Sequence, residues 1–225
     1  MLRPMSLDDD SSTMSPAARP ARAPDAERRA RIVAAAERAF VRYGFHAATM
    51  QHVAEEAGMS AGNLYRYFSS KEAIVEGLCL ADQDERSGQF AALARSVDLV
   101  TAIGATLREH LLCKPPEKAR LVVEIWAEAG RNPRIAAITR ALDAHVLCGL
   151  TALAEAAKAS GAASPALDPA FVARVVFTLV AGLFKRLALE PKFDVEAELA
   201  MAMGIMKSLF EGALTPATGF SGEGA

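Results

Sequence analysis

Apolar residues recur with a helical period along most of the chain, and no alternating apolar and polar pattern persists anywhere. This periodicity predicts an all-α protein. The first predicted helix spans residues 25–43 and carries Ile32, Ala36 and Phe40 on one face. Asp25 is its expected N-cap, and a glycine follows its end.

Two short helical patterns then meet at Gly58. Thr49 is a good N-cap for a helix that turns Val53 inward, and Gly58 can adopt the left-handed conformation that ends a helix. Ser60 is a second N-cap, and the helix it opens directs Leu64 towards the first. The spacing predicts a helix-turn-helix, with an ordinary helical hairpin as the alternative.

The second of these helices leaves small and polar residues on its outer faces: Ala61, Gly62, Asn63, Tyr65, Arg66 and Tyr67. The small residues allow close approach to a groove, and the others can bind phosphates and base edges. Ser69 and Glu72 have the spacing of a capping box that opens the next helix. That cap would direct Lys71 towards a passing nucleic-acid backbone.

Sixteen positions in this region carry a family resemblance: Phe40, Gly44, Phe45, Thr49, Val53, Ala54, Ala57, Gly58, Met59, Ser60, Leu64, Tyr65, Tyr67, Phe68, Lys71 and Glu72. In this order and spacing, over about residues 28–75, they resemble the DNA-binding part of the TetR family of transcriptional regulators.

The resemblance implies specific roles in binding double-stranded DNA. Thr49 would cap the first helix of the motif and touch phosphate, residues 60–63 would open the recognition helix, and Tyr65, Tyr67 and Lys71 would hold the backbone. The sequence departs from the family at Ala61, where many members have lysine or another polar residue, and at Tyr67, where histidine is common. The operator sequence is therefore not transferable from the family.

The charge distribution agrees with a DNA partner although the whole chain has a net charge of −2. Residues 19–71 carry nine basic and five acidic residues, so their net charge is +4, and the rest of the chain is −6. We expect at least one of Arg28, Arg29 and Arg31 to contact phosphate. Arg19 and Arg22 either extend this surface as an arm or belong to an inert extension.

Three cysteines at wide spacing, Cys79, Cys113 and Cys148, indicate neither a disulfide framework nor a zinc site. No metal site or cofactor is predicted. The cysteines indicate a reducing compartment, and the N-terminus lacks a signal-peptide pattern, so a cytoplasmic location is expected. Residues 1–24 and 215–225 have little to bury and are predicted to be disordered tails.

Beyond a DNA-binding domain at residues 25–71, residues 72–214 are predicted to form a helical domain for ligand binding and dimerization. Asp98, Asn132-Pro133 and Asp168-Pro169 mark helix starts. The segment after Asp168 is too interrupted by charged residues to span a membrane.

The last two helices have more apolar surface than one small domain can cover. Paired with a second copy they would form a four-helix interface, and a homodimer would read two half-sites about 34–36 Å apart. The residues expected at this interface are Val172, Val176, Leu179, Leu183, Met203, Met206 and Phe210. The alternative is that these helices only close the core of a monomer.

By resemblance, residues 72–160 would enclose a pocket for a small-molecule effector. Candidate pocket residues are His110, Leu121, Ile125, Trp126, His145, Cys148 and Phe177; an ordinary core or surface role is the alternative for each. A lipophilic effector is favoured because the inward faces show no arginine or lysine cluster.

These patterns predict a ligand-responsive repressor that binds a palindromic operator as a dimer. A transcriptional activator of the same fold is the main alternative, and a ligand-free architectural protein does not need so long an apolar helical region. An all-helical enzyme is disfavoured, because the sequence has no Gly-rich phosphate loop, no H-E-x-x-H and no G-x-S-x-G.

Overall fold

The computed structural model describes residues 23–112 and 116–216, and every regular element within them is an α-helix. The helices are α1 Ala23–Tyr43, α2 Met50–Glu56, α3 Ala61–Tyr65, α4 Lys71–Leu93, α5 Leu99–Leu112, α6 Pro116–Ala129, α7 Pro133–Ala159, α8 Pro169–Leu189 and α9 Val195–Phe210. The all-α prediction is confirmed. Most of both predicted tails lies outside the described residues.

Helix starts follow the predicted caps in most cases. The side chains of Thr49, Ser60, Asn132, Asp168 and Asp194 each accept a backbone N–H of the helix that follows.

Two predicted caps are wrong. α1 begins at Ala23, so Asp25 lies inside its first turn. There its carboxylate still interacts favourably with the positive end of the helix dipole. At α4 the cap is Ser70 rather than Ser69, and its hydroxyl accepts from Ala73 N at 3.3 Å.

The first of two hydrophobic clusters lies under α1, α2 and α3. Phe40, Val53 and Leu64 are fully or almost fully buried there, and Leu121 and Ile125 of α6 complete the cluster. The helix-turn-helix therefore shares its core with the helices that follow it.

The second cluster joins α5, α7, α8 and α9, with Leu153, Phe184 and Leu209 among its members. α7 packs along both α4 and α8, and α5 packs on α9. By length and hydropathy alone α7 is also apolar enough to cross a membrane, but these packed neighbours make it a helix of the bundle.

Candidate nucleic-acid interface and internal cavity

The helix-turn-helix is held in shape by local hydrogen bonds at the start of α2. Thr49 Oγ1 accepts from His52 N at 3.2 Å, and His52 Nδ1 lies 3.3 Å from Thr49 N as the reciprocal acceptor. The His52 ring stacks on Tyr43 with centroids 4.2 Å apart. The sequence analysis missed His52, although its place three residues after Thr49 is the signal for a reciprocal cap.

α3 presents the face that the sequence analysis assigned to DNA. Ser60 Oγ accepts from Asn63 N at 3.3 Å, and Leu64 is 0% exposed. On the opposite side Tyr65 is 53% exposed and Arg66 is also exposed. At Gly62 no other atom lies within 4 Å of the place a Cβ would occupy, so this surface is open to a partner.

The remaining residues of this set are less accessible. Ala61 and Tyr67 are partly buried and pack against the first hydrophobic cluster. Asn63 is partly buried and lines a groove of about 350 Å³. Arg28 and Arg31 of α1 line the same groove, together with Gly58 and Ser60.

The three clustered arginines of α1 do not share one surface. Arg28 and Arg31 face the groove beside Ser60, whereas the Arg29 guanidinium lies over the Phe68 ring at 4.6 Å from its centroid. Arg29 also lines a larger cavity inside the bundle. Only Arg28 and Arg31 are therefore positioned beside the start of α3.

Lys71 makes contacts that the sequence analysis did not anticipate. Its Nζ donates to the carbonyl oxygens of Phe45 at 2.9 Å and His46 at 3.1 Å, and lies 4.8 Å from the Phe45 ring centroid. Two of its three N–H groups are thus used to hold the turn between α1 and α2. A phosphate contact for Lys71 stays a prediction.

A cavity of about 870 Å³ lies inside the helical bundle, next to α1. Its wall includes residues from α1 and from α4 through α9. The pocket expected within residues 72–160 is therefore wider than predicted, since Val33 of α1, Phe184 of α8 and Met206 of α9 also line it.

Four of the seven predicted pocket residues line this cavity: Leu121, Ile125, Trp126 and Phe177. His145 and Cys148 are not among its lining residues. His145 Nε2 instead lies 3.0 Å from Ser87 Oγ, and Cys148 is exposed. Both lie off the α7 face that carries Val146 and Leu150. His110 belongs to α5, but its side chain lies outside the described residues, as does Cys113.

Asp143, which was not among the predicted pocket residues, lines the cavity from α7 and is half-buried. Burial raises the pKa of its carboxyl above the usual range. Its spacing of three, seven and ten residues before Val146, Leu150 and Leu153 was the available signal, since these positions share one helical face.

Comparison with known proteins identifies both parts of the chain. The sequence profile described as "Bacterial regulatory proteins, tetR family" matches residues 32–78, and that described as "BetI-type transcriptional repressor, C-terminal" matches residues 105–211. Together the two matches cover more than half of the chain. The chain belongs to the TetR family. It is a transcriptional regulator with a DNA-binding helix-turn-helix.

Relatives of this TetR-family regulator extend over most of its length. The HTH-type transcriptional regulator UidR of Escherichia coli K12 is 29% identical over 187 residues, which cover 83% of this chain and 93% of UidR. The GusR structure from Salmonella enterica superposes with a TM-score of 0.70 at 27% identity, covering 82% of this chain and 95% of GusR. These relatives and the fold are those of regulators, not of enzymes.

A third comparison supports the fold alone. The transcriptional regulator FadR of Bacillus subtilis, solved with stearoyl-CoA, superposes with a TM-score of 0.66 at 17% identity. The match covers 81% of this chain and 98% of FadR.

The residues predicted at a dimer interface lie mostly inside the TetR-family protomer. Val172, Val176, Leu183, Met206 and Phe210 are between 2% and 6% exposed in the single chain. They pack into the second hydrophobic cluster, so these five assignments to the surface need correction. Leu179 and Met203 remain partly exposed. The apolar periodicity of α8 and α9 predicts that both helices have buried faces. It does not show which of these faces is buried within the protomer and which is left for a second copy.

The outward faces of α8 and α9 carry a different set of residues. On α8 they include Arg174, Thr178 and Gly182, and on α9 Met201 and Gly204. At both glycines no other atom lies within 4 Å of the position a Cβ would take. These faces are therefore flat enough for another helix to approach closely.

α6 touches both the cavity and the DNA-binding unit. Leu121, Ile125 and Trp126 face the cavity, and Glu124 Oε2 accepts from Phe45 N at 2.5 Å. This hydrogen bond connects α6 to the turn that precedes α2. Lys71 Nζ holds the same turn through the Phe45 carbonyl oxygen.

Proposed function

We propose that this TetR-family regulator is a repressor that binds a palindromic operator as a homodimer in the cytoplasm and is released by a small-molecule effector. The observation that carries the proposal is the position of α6 between the 870 Å³ cavity and the turn before α2. The match of residues 105–211 to a profile described as a transcriptional repressor favours repression over activation.

On the DNA side, the exposed face of α3 would enter the major groove, with Gly62 and Asn63 near base edges and Tyr65 and Arg66 at the backbone. Ala61 and Tyr67 contribute less exposed surface. Arg28 and Arg31 would add phosphate contacts beside Ser60. Thr49 and Lys71 would complete the backbone contacts.

Selection of binding sequences from random double-stranded DNA tests this assignment. We expect the enriched sites to be inverted repeats whose half-sites lie about one helical turn apart. The Tyr65→Ala variant should lose most of this enrichment while remaining dimeric, because Tyr65 is exposed and has no role in the core. Full retention of enrichment by this variant would count against the assignment of α3.

For the homodimer, we propose that the outward faces of α8 and α9 pair with those of a second copy around Gly182 and Gly204. Gly182→Arg should dissociate the dimer without disturbing the protomer, since space is open at this position within a single chain. Gly88→Arg is the matched control, because Gly88 is also an exposed helical glycine with open space around it. Sedimentation velocity distinguishes the two, and a dimeric Gly182→Arg would refute this interface.

An effector would act by favouring a position of α6 that does not fit the operator-bound dimer. A ligand shifts such an equilibrium only by its difference in affinity for the two states, and about 3 kcal/mol gives roughly a hundredfold change in operator affinity. The hydrogen bond from Phe45 N to Glu124 is the proposed link. Addition of an effector should lower operator binding in fluorescence anisotropy.

A further inference from the structure

The long cavity changes character along the axis of α7. Leu142 and Asp143 lie at one end of the cavity-lining face, so its only carboxylate is at that end, and Val146, Leu150 and Leu153 follow. Ten residues at about 1.5 Å each place the end of this face roughly 15 Å from Asp143. The wall is therefore polar near Asp143 and apolar at the other end.

α4 runs parallel to α7 and repeats this change. Ser87 of α4 is beside His145 of α7, and Phe90, one turn further along, packs against Gly149 so closely that a Cβ there would lie 2.3 Å from the ring. Earlier in α4, Asp82 lines the cavity. Both helices thus place carboxylates at the same end of the cavity.

Carboxylates outnumber cations in the wall. The acidic residues are Glu37, Glu76, Asp82, Asp84, Glu85 and Asp143, and the basic ones are Arg29, Arg86 and Lys118. Two of the cations are already paired, because Arg86 Nε donates to Asp82 Oδ2 at 2.5 Å and Lys118 Nζ lies 2.6 Å from Glu37 Oε1. Arg29 lies over the Phe68 ring.

Asp143 lacks any such compensation within the described part of the chain. Its pKa is raised by burial, with no donor or cation acting in the opposite direction. The Cys79 thiol lies close to the same two carboxylates. Its pKa is raised to about 11, mainly by burial and further by the charges of Asp82 and Asp143. Asp82 and Asp143 both line this end of the cavity, and a cation placed beside Asp143 would offset the cost of its half-buried carboxylate.

We propose that the cavity binds an amphiphile with a cationic head, which lies beside the Asp143 carboxylate while the apolar part extends along Leu150 and Leu153. This inference rests on the proposal that the cavity is the effector site, and it names the effector class. An anionic head, such as a carboxylate, would meet the negative charge of Asp143 and gain no free cation there.

Three compounds of equal chain length test the head-group preference: decyltrimethylammonium and decanoate below their micellar concentrations, and 1-decanol below its solubility limit. Trp126 is the single tryptophan of the chain and lines the cavity, so its fluorescence reports occupancy. We expect the cation to bind at least tenfold more tightly than decanoate. Asp143→Asn should remove most of this preference while leaving the affinity for decanol unchanged, because the asparagine keeps the shape of the wall.

Glu155→Gln is the matched control, since it removes a carboxylate from the exposed side of the same helix and should leave all three affinities unchanged. Equal or tighter binding of decanoate, or a cation preference that survives Asp143→Asn, would overturn the inference. Decanol binding without any charge preference overturns the head-group assignment alone. If none of the three compounds changes Trp126 fluorescence or the melting temperature, the cavity itself fails as the effector site.

Discussion

The two helices of the helix-turn-helix lie within residues 49–65 and share one core with α1 and α6, whereas the cavity wall includes residues from seven helices. In the first region each helix start has a cap from its own sequence, and Leu64 is fully buried. In the second, long helices leave about 870 Å³ unfilled. The difference indicates that the DNA-binding part has a tightly packed core, whereas the long helices leave room that the proposed effector would occupy.

The two regions should differ most in how far a leucine-to-alanine substitution lowers the free energy of unfolding. Leu64→Ala removes a fully buried side chain and should lower the free energy of unfolding by about 3 kcal/mol. Leu150→Ala, on the cavity wall, should cost about 1 kcal/mol, because this side chain already lacks packing partners on one side. Urea denaturation at one protein concentration compares them, and equal losses would show that the cavity wall is as tightly packed as the motif.

The two described cysteines, Cys79 and Cys148, should differ strongly in reactivity. The pKa of Cys79 is raised to about 11 by burial and by Asp82 and Asp143, so its thiolate fraction at pH 8 is roughly a hundredfold below that of a thiol with a pKa near 9. Cys148 is exposed. Site-resolved mass spectrometry should find iodoacetamide on Cys148 well before Cys79, and the reverse order would contradict the burial and charge assigned to the cavity.

Substitution of neighbouring arginines in α1 should affect DNA binding differently, because Arg28 and Arg31 lie beside α3 and Arg29 lies at the cavity. Arg28→Ala and Arg31→Ala should each weaken operator binding several-fold and reduce the slope of log affinity against log salt by about 0.9 per lost phosphate contact. Arg29→Ala is the control, because Arg29 faces the cavity and Phe68. A loss of salt dependence in Arg29→Ala equal to that of the other two would place the DNA on a different face of α1.

A smaller effect is expected from a substitution at the hydrogen bond between Glu124 of α6 and Phe45 N. Glu124→Ala leaves the Phe45 N–H without its side-chain acceptor and should reduce the effector-induced loss of operator affinity several-fold. Effector binding, read from Trp126 fluorescence, should stay within about twofold of the unsubstituted protein. An unchanged effector response would show that α6 does not transmit the signal through this contact.

The parts of the structure that could be predicted from sequence are those determined over short distances. Thr49, Ser60, Asn132 and Asp168 were identified as caps or helix starts because a cap depends on residues two or three positions away. The error at Asp25 has the same origin, since the signal for a cap does not exclude an earlier start.

The cavity and the surface of α8 could be predicted only in part, because they depend on which face each long helix turns inward. Of the predicted pocket residues, Leu121 and Trp126 line the cavity, whereas His145 and Cys148 do not. Asp143 was missed because a single carboxylate on an apolar helix looks like a surface residue until the packing of α4 against α7 is known.

Reciprocal binding of effector and operator is the measurement that most directly tests the coupling of the two regions. With the decyl compound that binds the cavity, operator affinity would be followed by anisotropy and cavity occupancy by Trp126 fluorescence. The account predicts that effector lowers operator affinity and that operator lowers effector affinity by the same factor, as linkage requires. Two affinities that do not depend on each other would contradict it.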